Sequence, residues 1–234
     1  MVDRLYVIGI GAGDPAWLTL EAVSALGSLD VLFVLDKGDE LTAARRALVA
    51  RYAPQAAEVA ITDPPRGRGA EAVAAWRAQR VALIRGALTA SAGVGGFLAW
   101  GDPSLYDGLI DVLGSIGAPF SVVPGISAVS ALAARHGVAL NRVGGSVAIT
   151  SGRRLAAEGM TADDVVVMLD SGLAFMDVDP SVEIYWGAYL GTPDEVLVSG
   201  VLRDVRDEIV RVRSEARRRK GWMFDTYLLR APRP

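Results

Sequence analysis

Three short stretches rich in glycine and proline each follow an apolar run that is typical of a buried strand. The stretches are Gly9-Ile10-Gly11-Ala12-Gly13-Asp14-Pro15, Gly101-Asp102-Pro103-Ser104-Leu105-Tyr106 and Pro124-Gly125-Ile126-Ser127-Ala128. Open α/β sheets bind ligands at the carboxyl ends of their strands, where glycine allows close backbone approach and proline stiffens the loop. We therefore expect an α/β protein that holds a small molecule on these three loops.

The first half of the chain alternates strand patterns with helix patterns, which predicts a parallel sheet with flanking helices. The predicted strands are Leu5–Ile8, Val31–Leu35, Glu58–Ile61, Phe97–Trp100 and Phe120–Val123. The predicted helices are Trp17–Leu26, Thr42–Tyr52 and Ala70–Leu88. These elements define a five-stranded N-terminal domain over residues 1–124.

Residues 125–234 are predicted to form a second α/β domain, in which too few helices separate the strands for an all-parallel sheet. The strand candidates are Ser146–Thr150, Val165–Leu169, Val182–Trp186, Glu195–Leu202 and Trp222–Leu229, and the helix candidates are Ile126–Arg135 and Arg203–Lys220. We expect a mixed sheet with a hairpin at Gly191-Thr192-Pro193-Asp194. A cleft between the two domains is the expected place for cofactor and substrate.

Composition excludes several classes of function. The 234 residues carry a net charge of −3, and the 24 basic residues are spread along the chain, so no nucleic-acid partner is expected. With no cysteine and one histidine, no metal site is expected. The chain starts without a secretion signal, which predicts a cytoplasmic protein. The uncharged stretch Val112–Ala134 is interrupted by glycine and proline, so we interpret it as buried structure and expect no membrane span.

Together, the three motifs closely resemble those of the tetrapyrrole methylases, a family of two-domain α/β enzymes that use S-adenosylmethionine. The resemblance covers the whole chain and implies a homodimer, the family's habit. Further segments look like the branch that methylates C-1 of precorrin-5 and expels its acetyl group as acetate, in the aerobic route to cobalamin. These segments are 34–38, 141–144, 184–195 and 220–227.

The resemblance implies a set of cofactor contacts, most of them backbone positions. They are Ala12, Trp100, Gly101, Asp102, Leu105, Ser127, Ala128, Met168 and Gly187. The family usually has proline at the position of Ala12. Core packing explains Met168 equally well, and Asp14 with Pro15 also fits the start of a helix.

The chemistry implied by the family asks for few side chains. Methyl transfer needs alignment and exclusion of water, whereas acetate release needs a base that activates water. Asp36 aligns with a catalytic acidic residue of related methylases, although it is also placed to cap a turn or bind a ribose hydroxyl. Tyr106 is a second catalytic candidate with an alternative role as a rim residue. His136 lies at a predicted helix end, where it suits the helix dipole. The sequence leaves open whether Asp36 or His136 is catalytic.

Precorrins carry acetate and propionate arms, so the resemblance implies basic residues around the substrate. The candidates are Lys37, Arg66, Arg68, Arg142, Arg153 and Arg154. The family's lysine after the third strand has no clear counterpart here. The basic run Arg211–Lys220 is interpreted as a solvated helix face, because acidic residues precede it in the order that complements a helix dipole.

Two other functions fit parts of the sequence. A Rossmann-type NAD(P)-binding oxidoreductase would explain the first glycine-rich loop and Asp36, but its third glycine should fall where this chain has Asp14, which would repel a pyrophosphate. A carrier that holds a tetrapyrrole without reacting is the non-enzyme alternative.

Overall fold

The structure, a computed structural model, describes residues 1–36, 39–67, 69–221 and 224–232, without the side chains of 36 and 39–44. Lys37 and Arg68 therefore lie outside the described residues. The chain divides into two compact units. Unit 1 comprises Met1–Gly11 and Pro15–Ile126, and unit 2 comprises Ala12–Asp14 and Ser127–Pro234.

Unit 1 is built on a five-stranded sheet in the order β3-β2-β4-β1-β5. All its strand pairs are parallel, as the sequence predicts. The strands are β1 (Arg4–Gly9), β2 (Val31–Asp36), β3 (Ala57–Thr62), β4 (Val94–Ala99) and β5 (Ser121–Val123). The α-helices are α1 (Leu20–Gly27), α2 (Asp39–Tyr52), α3 (Ala70–Ala90) and α4 (Leu109–Ile116). All five strands therefore end at one edge of the sheet.

Both faces of the unit 1 sheet are buried, which explains its continuous apolar strands. Phe33 and Phe97 pack with Ile84 on one face, whereas Leu32 and Ile8 belong to a cluster on the other. Neighbouring residues of a strand point to opposite faces, so each strand contributes to both clusters.

Helix α1 begins three residues later than predicted. Pro15–Trp17 forms a short 3-10 helix, and α1 follows from Leu20 because Thr19 accepts a hydrogen bond from the Ala22 N–H at 3.0 Å. A threonine in this position satisfies a backbone donor that the first helical turn leaves unpaired.

Unit 2 is built on a mixed sheet in the order β6-β7-β10-β8-β9. Only β6 and β7 pair in parallel, and β8 and β9 form the expected hairpin, so the predicted fold class is confirmed. The strands are β6 (Val147–Ser151), β7 (Asp164–Met168), β8 (Glu183–Ala188), β9 (Val196–Val201) and β10 (Asp225–Arg230). The α-helices are α5 (Ala128–His136), α6 (Gly152–Glu158) and α7 (Leu202–Lys220), of which the sequence does not predict α6.

The uncharged stretch over residues 112–134 is divided among α4, β5 and α5. None of the helices in the described part of the chain is both long and apolar enough to cross a membrane.

Candidate active site

The three sequence motifs meet at the carboxyl edge of the unit 1 sheet. The first two loops are joined by backbone hydrogen bonds from Gly11 N to Gly101 O at 3.2 Å and from Gly101 N to Gly11 O at 2.9 Å. The third loop packs on both, because a Cβ on Gly125 would lie 2.9 Å from Gly9 Cα and closer still to Gly101 O. Glycine is required at these contacts. We call residues 9–11, 101–106 and 124–126 the loop cluster.

Asp102 ties the second loop of this cluster to the third. Its Oδ1 accepts hydrogen bonds from the Ser104 N–H at 2.8 Å and from the Ser104 hydroxyl, while Oδ2 accepts from the Gly125 N–H at 2.9 Å. Burial disfavours the charged form, but these hydrogen bonds outweigh it and hold the pKa of Asp102 below its usual value. The carboxylate therefore has a structural role inside the cluster.

Side chains of the second loop surround this backbone framework. Trp100 and Leu105 are half-buried, and Tyr106 is 49% exposed. Tyr106 also has a φ of 55°, in the left-handed region that costs a non-glycine residue about 1–2 kcal/mol. Backbone strain of this kind clusters at functional sites. Five predicted site residues thus lie in or next to this loop. They are Gly101 and Asp102 together with Trp100, Leu105 and Tyr106.

In unit 2, two further predicted cofactor residues lie in one row across the sheet. Thr226 on β10 pairs with Met168 on β7 and with Gly187 on β8. A Cβ on Gly187 would lie 2.7 Å from the Leu190 side chain, so packing requires glycine there. We call Met168, Thr226 and Gly187 the strand-end row. Thr226 is buried. The sequence does not single it out, although it lies in the segment 220–227 that carries the family resemblance.

The remaining predicted cofactor residues also belong to unit 2. Ala12 is buried, and at the next residue a Cβ on Gly13 would lie 2.8 Å from Thr192 Cγ2. Ser127 is the N-cap of α5, where its Oγ accepts from the Ser130 N–H at 3.1 Å, and Ala128 is the first helical residue. Ser127 therefore has a capping role whether or not it also contacts a ligand.

Behind the strand-end row lies a buried ion pair. Arg213 Nε donates to Asp225 Oδ2 at 2.8 Å, and Trp186 Nε1 donates to the same oxygen at 3.2 Å. Burial raises the pKa of Asp225, and the guanidinium of Arg213 opposes that rise. Arg213 is only 7% exposed. The interpretation of Arg211–Lys220 as a solvated face is therefore wrong for Arg213, whose partner on β10 is not evident from the helix sequence.

The buried pair continues into a second carboxylate, Asp170, next to the carboxyl end of β7. Arg213 Nη2 donates to the Asp170 carbonyl oxygen at 2.7 Å, and the Tyr227 hydroxyl donates to Asp170 Oδ2 at 2.7 Å. Burial and the adjacent carboxylate raise the pKa of Tyr227, so its hydroxyl stays protonated as a donor. Asp170 also accepts from the Gly172 and Ala174 N–H groups at 2.9 and 2.7 Å. The network fixes the end of β7.

Two strained residues mark the same strand ends. Leu169, directly after Met168, has a φ of 54° and is 60% exposed, and Tyr189, directly after β8, has a φ of 51°. No sequence pattern shows that these residues adopt left-handed backbone. They are further candidates for contact with a ligand.

The first catalytic candidate, Asp36, is the last residue of β2 and pairs with Thr62. It lies at the same sheet edge as the loop cluster, but the structure does not describe its side chain. The single histidine, His136, ends α5, and its Nε2 lies 3.0 Å from the Trp186 carbonyl oxygen. A ring nitrogen hydrogen-bonded to a main-chain carbonyl is held by the fold, which favours a structural role for His136.

The candidate substrate arginines are scattered. Arg142 donates to the carbonyl oxygens of Ala231 and Asp163 at 2.8 and 3.1 Å, beside Asp164 at the start of β7. That edge is roughly 13 Å along the strand from Met168, so the expected substrate role of Arg142 does not fit its position.

The other candidate substrate arginines that the structure describes are not part of the buried network around Arg213 and Asp170. Arg153 and Arg154 are exposed at the start of α6, not in the predicted loop, and Arg154 pairs with Glu158 at 2.9 Å. Arg66 stacks over the Trp76 ring at 5.1 Å from its centroid. Over the described ranges, no group of three or more His, Cys, Asp or Glu side chains could hold a metal ion.

Comparisons with known proteins identify the family. The sequence model described as Tetrapyrrole (Corrin/Porphyrin) Methylases matches residues 4–206. The chain belongs to the tetrapyrrole methylase family. It is 40% identical to the precorrin-6A synthase (deacetylating) of Sinorhizobium sp, over 97% of this chain and 95% of that protein. The predicted family is therefore confirmed.

Solved structures agree with the tetrapyrrole methylase fold. The crystal structure of a cobalamin-synthesis-related protein (CobF) from Corynebacterium diphtheriae has a TM-score of 0.86 and 37% identity, over 98% of both chains. The uroporphyrin-III C-methyltransferase of Thermus thermophilus, complexed with S-adenosylhomocysteine, shares the fold at a TM-score of 0.62 and 22% identity, over 97% of this chain and 96% of that one. This chain is a methyltransferase that uses S-adenosylmethionine, and the comparisons give no support to an NAD(P)-dependent oxidoreductase.

The loop cluster suits S-adenosylmethionine chemically. Close glycine contacts leave its backbone without side-chain bulk at Gly9, Gly101 and Gly125, and Trp100 and Leu105 add apolar surface. Backbone donors and acceptors with apolar walls are typical of small-molecule sites. Asp102 is already hydrogen-bonded within the cluster. We therefore expect backbone groups, more than this carboxylate, to bind the cofactor.

Proposed function

We propose that this tetrapyrrole methylase transfers a methyl group to C-1 of precorrin-5 and releases the acetyl group as acetate, giving precorrin-6A. The observation that carries the proposal is the 40% identity to the precorrin-6A synthase of Sinorhizobium sp over nearly the full length of both proteins. The match to the cobalt-precorrin-2 C(20)-methyltransferase of Salmonella typhimurium is 34% identical but covers only 58% of this chain.

The reaction combines two steps. Water adds to the acyl carbon, the bond between C-1 and that carbon breaks, and its electron pair remains on C-1 while acetate leaves. S-adenosylmethionine, when bound, supplies an electrophilic methyl group that C-1 attacks, and the electrons of the sulfur–methyl bond go to sulfur. The protein aligns donor with acceptor, excludes bulk water and activates one water molecule.

We assign activation of that water to Asp36. Its support is the position of the residue at the end of β2, at the sheet edge that carries the loop cluster. Asp36→Asn is expected to lower acetate release about 100-fold or more while leaving the affinity for S-adenosylhomocysteine within about twofold. A loss of cofactor affinity of the same size would assign Asp36 to cofactor binding instead.

Tyr106 is the second candidate for contact with the substrate. Its exposed ring stands on strained backbone in the loop cluster, and its hydroxyl is a donor of the kind that orients a carbonyl or carboxylate. Tyr106→Phe removes only that donor. We expect it to lower turnover about tenfold at unchanged fold stability.

The decisive experiment incubates precorrin-5 with S-adenosylmethionine carrying a ¹³C-labelled methyl group. NMR is then used to identify the methylated carbon and to quantify acetate. The proposal expects label at C-1 and one acetate for each methyl transferred. Label at another ring carbon, or methylation without acetate, would overturn the specific reaction and leave the family assignment intact.

We also propose that the chain works as a cytoplasmic homodimer, which rests on the habit of the family. Light scattering after gel filtration should then give twice the chain mass of 24.6 kDa. A mass of one chain at micromolar concentration would contradict the dimer.

A further inference from the structure

Unit 1 contains a cavity of about 40 Å³ next to the carboxyl ends of β2 and β4. Its apolar wall consists of Phe33, Leu35, Phe97 and Leu109, and the two phenyl rings stack with their centroids 5.0 Å apart. Leu35 directly precedes Asp36. The cavity therefore lies within one residue, along β2, of the position to which we assign activation of water.

The polar wall of the cavity carries an arginine with an unused donor. Arg45 on α2 lines the cavity, and its Nε is buried without a hydrogen-bond partner among the described residues. Burial lowers the pKa of Arg45 while Asp107 opposes the effect, and an arginine remains charged in either case. A buried donor without an acceptor is costly, so the space beside Arg45 Nε favours a water molecule or an anionic group.

The two other charged residues that line the cavity already have partners. Arg80 Nε lies 2.9 Å from Asp63 Oδ1. Asp107 Oδ1 accepts at 2.9 Å from the N–H of Leu109, the first residue of α4. Arg80 Nε likewise makes no hydrogen bond of good geometry, but the carboxylate of Asp63 balances its charge. Among the described residues that line the cavity, Arg45 is the cation without a carboxylate in ion-pair contact, and Asp107 partly neutralises it.

We propose that this cavity is a subsite for a small carboxylate, with Arg45 binding the carboxylate oxygens and the phenyl rings contacting the attached methyl or methylene group. The size fits, because about 10–15 Å³ holds one water molecule, so 40 Å³ holds about three or a group as large as acetate. The combination of one cation and an apolar wall also matches a carboxylate that carries a short hydrocarbon end.

The identity of the natural occupant depends on the proposed function, which supplies two carboxylates of this kind. One is the acetate that leaves from C-1, and the other is an acetate arm of the tetrapyrrole. The two sources differ kinetically. A site for the leaving group lowers kcat when it is damaged, whereas a site for an arm raises KM for the precorrin.

The first test titrates ¹³C-acetate into the cofactor-free protein and follows line broadening by NMR. We expect saturable binding with Kd on the order of 1 mM, within reach of a ligand of four heavy atoms. Arg45→Met should weaken binding at least about tenfold. Asp107→Asn keeps an acceptor for the Leu109 N–H but removes the opposing charge, so it should tighten binding about threefold. Pivalate, which is too bulky for the cavity, should not compete.

The matched control is Arg46→Met, which removes an exposed arginine at the next position of the same helix and should leave acetate binding unchanged. Thermal unfolding of each variant checks that it is folded. If Arg45→Met does not fold, Asp107→Asn still decides the question through its opposite sign. If acetate does not bind, or if its affinity is the same for the unchanged protein, Arg45→Met and Asp107→Asn, the cavity holds water only and the proposed subsite is wrong.

The second test measures the kinetics of Arg45→Met with precorrin-5. A fall in kcat identifies the leaving acetate as the occupant, and a rise in KM identifies an arm of the substrate. If precorrin-5 proves not to be the substrate while acetate still binds through Arg45, the proposed function fails and the carboxylate subsite stands.

Discussion

The two units build the edges that carry their candidate site residues in different ways. In unit 1, main-chain atoms of three loops pack directly on one another through Gly9, Gly101 and Gly125. In unit 2, strand ends are held from behind by the buried side chains of Arg213, Asp225 and Asp170. The first design depends on the absence of side chains, and the second depends on charged side chains with all their partners in place.

This difference decides what kind of change each edge tolerates. A glycine contact fails when any atom is added, since backbone cannot move aside as a flexible side chain does. A buried ion pair fails when one partner is removed, because the other charge then stays buried and unpaired. Four substitutions, from the largest expected effect to the smallest, test the contrast.

Arg213→Met should have the largest effect on stability. It leaves Asp225 and the Asp170 carbonyl without their donor, and breaking a buried pair costs about 3–5 kcal/mol. Urea unfolding measures the loss. Arg211→Met is the control on the same helix, because Arg211 is exposed and pairs with the exposed Glu215, and its effect should stay within about 0.5 kcal/mol. If both variants lose the same free energy of unfolding, the buried ion pair contributes no more to stability than the exposed one.

Gly125→Ala tests the edge of unit 1. The added methyl group would collide with Gly101 O and with Gly9, and we expect a loss of about 2–3 kcal/mol together with weaker binding of S-adenosylhomocysteine in calorimetry. The control is Gly114→Ala in α4, where a Cβ meets nothing within 4 Å. It should stabilise unit 1 by about 0.5–1 kcal/mol. A folded, fully binding Gly125→Ala variant would show that the loops are not held by glycine contacts.

The same contrast explains how much the sequence could predict. Glycine and proline after apolar runs are local signals, so the strands of unit 1 and the three loops are predicted at nearly the right residues. The role of Arg213 is not predictable in this way. It stands in a basic run that looks solvated, and its partner Asp225 lies on β10, where only tertiary packing brings the two together.

Other features of the structure cannot be predicted from the sequence for related reasons. Helix α6 follows β6 without a connecting turn, and Ser151 makes no capping hydrogen bond through its side chain, so the usual start signal is absent. Thr226 belongs to the strand-end row only through its pairing with Met168 and Gly187. The left-handed backbone of Leu169 and Tyr189 has no signature in residue type, because glycine or asparagine is the usual sign.

Asp102→Asn weakens a side-chain contact that joins the second and third loops of unit 1. It removes the charge that accepts from Ser104 and Gly125, and we expect a loss of about 1–2 kcal/mol at pH 7. The effect depends on pH. Because the folded pKa lies below the ordinary value of 3.8, the stabilisation is complete above that value and is lost as pH falls through the folded pKa. Unfolding curves of the two proteins should therefore converge in acid, and a gap that persists there would exclude the charge as its cause.

Tyr106→Gly should change stability least and function most. Glycine adopts a φ of 55° without strain, which favours the variant, whereas its freedom in the unfolded chain opposes the gain, so the net change should lie within about 1 kcal/mol. The ring and hydroxyl are lost, and methyl transfer should fall more than about tenfold. Tyr106→Asn keeps a residue that tolerates left-handed backbone and serves as the control for strain. If both variants retain full activity, the strained backbone of this loop serves the fold alone, and unit 1 would present only main-chain groups at this point of its edge.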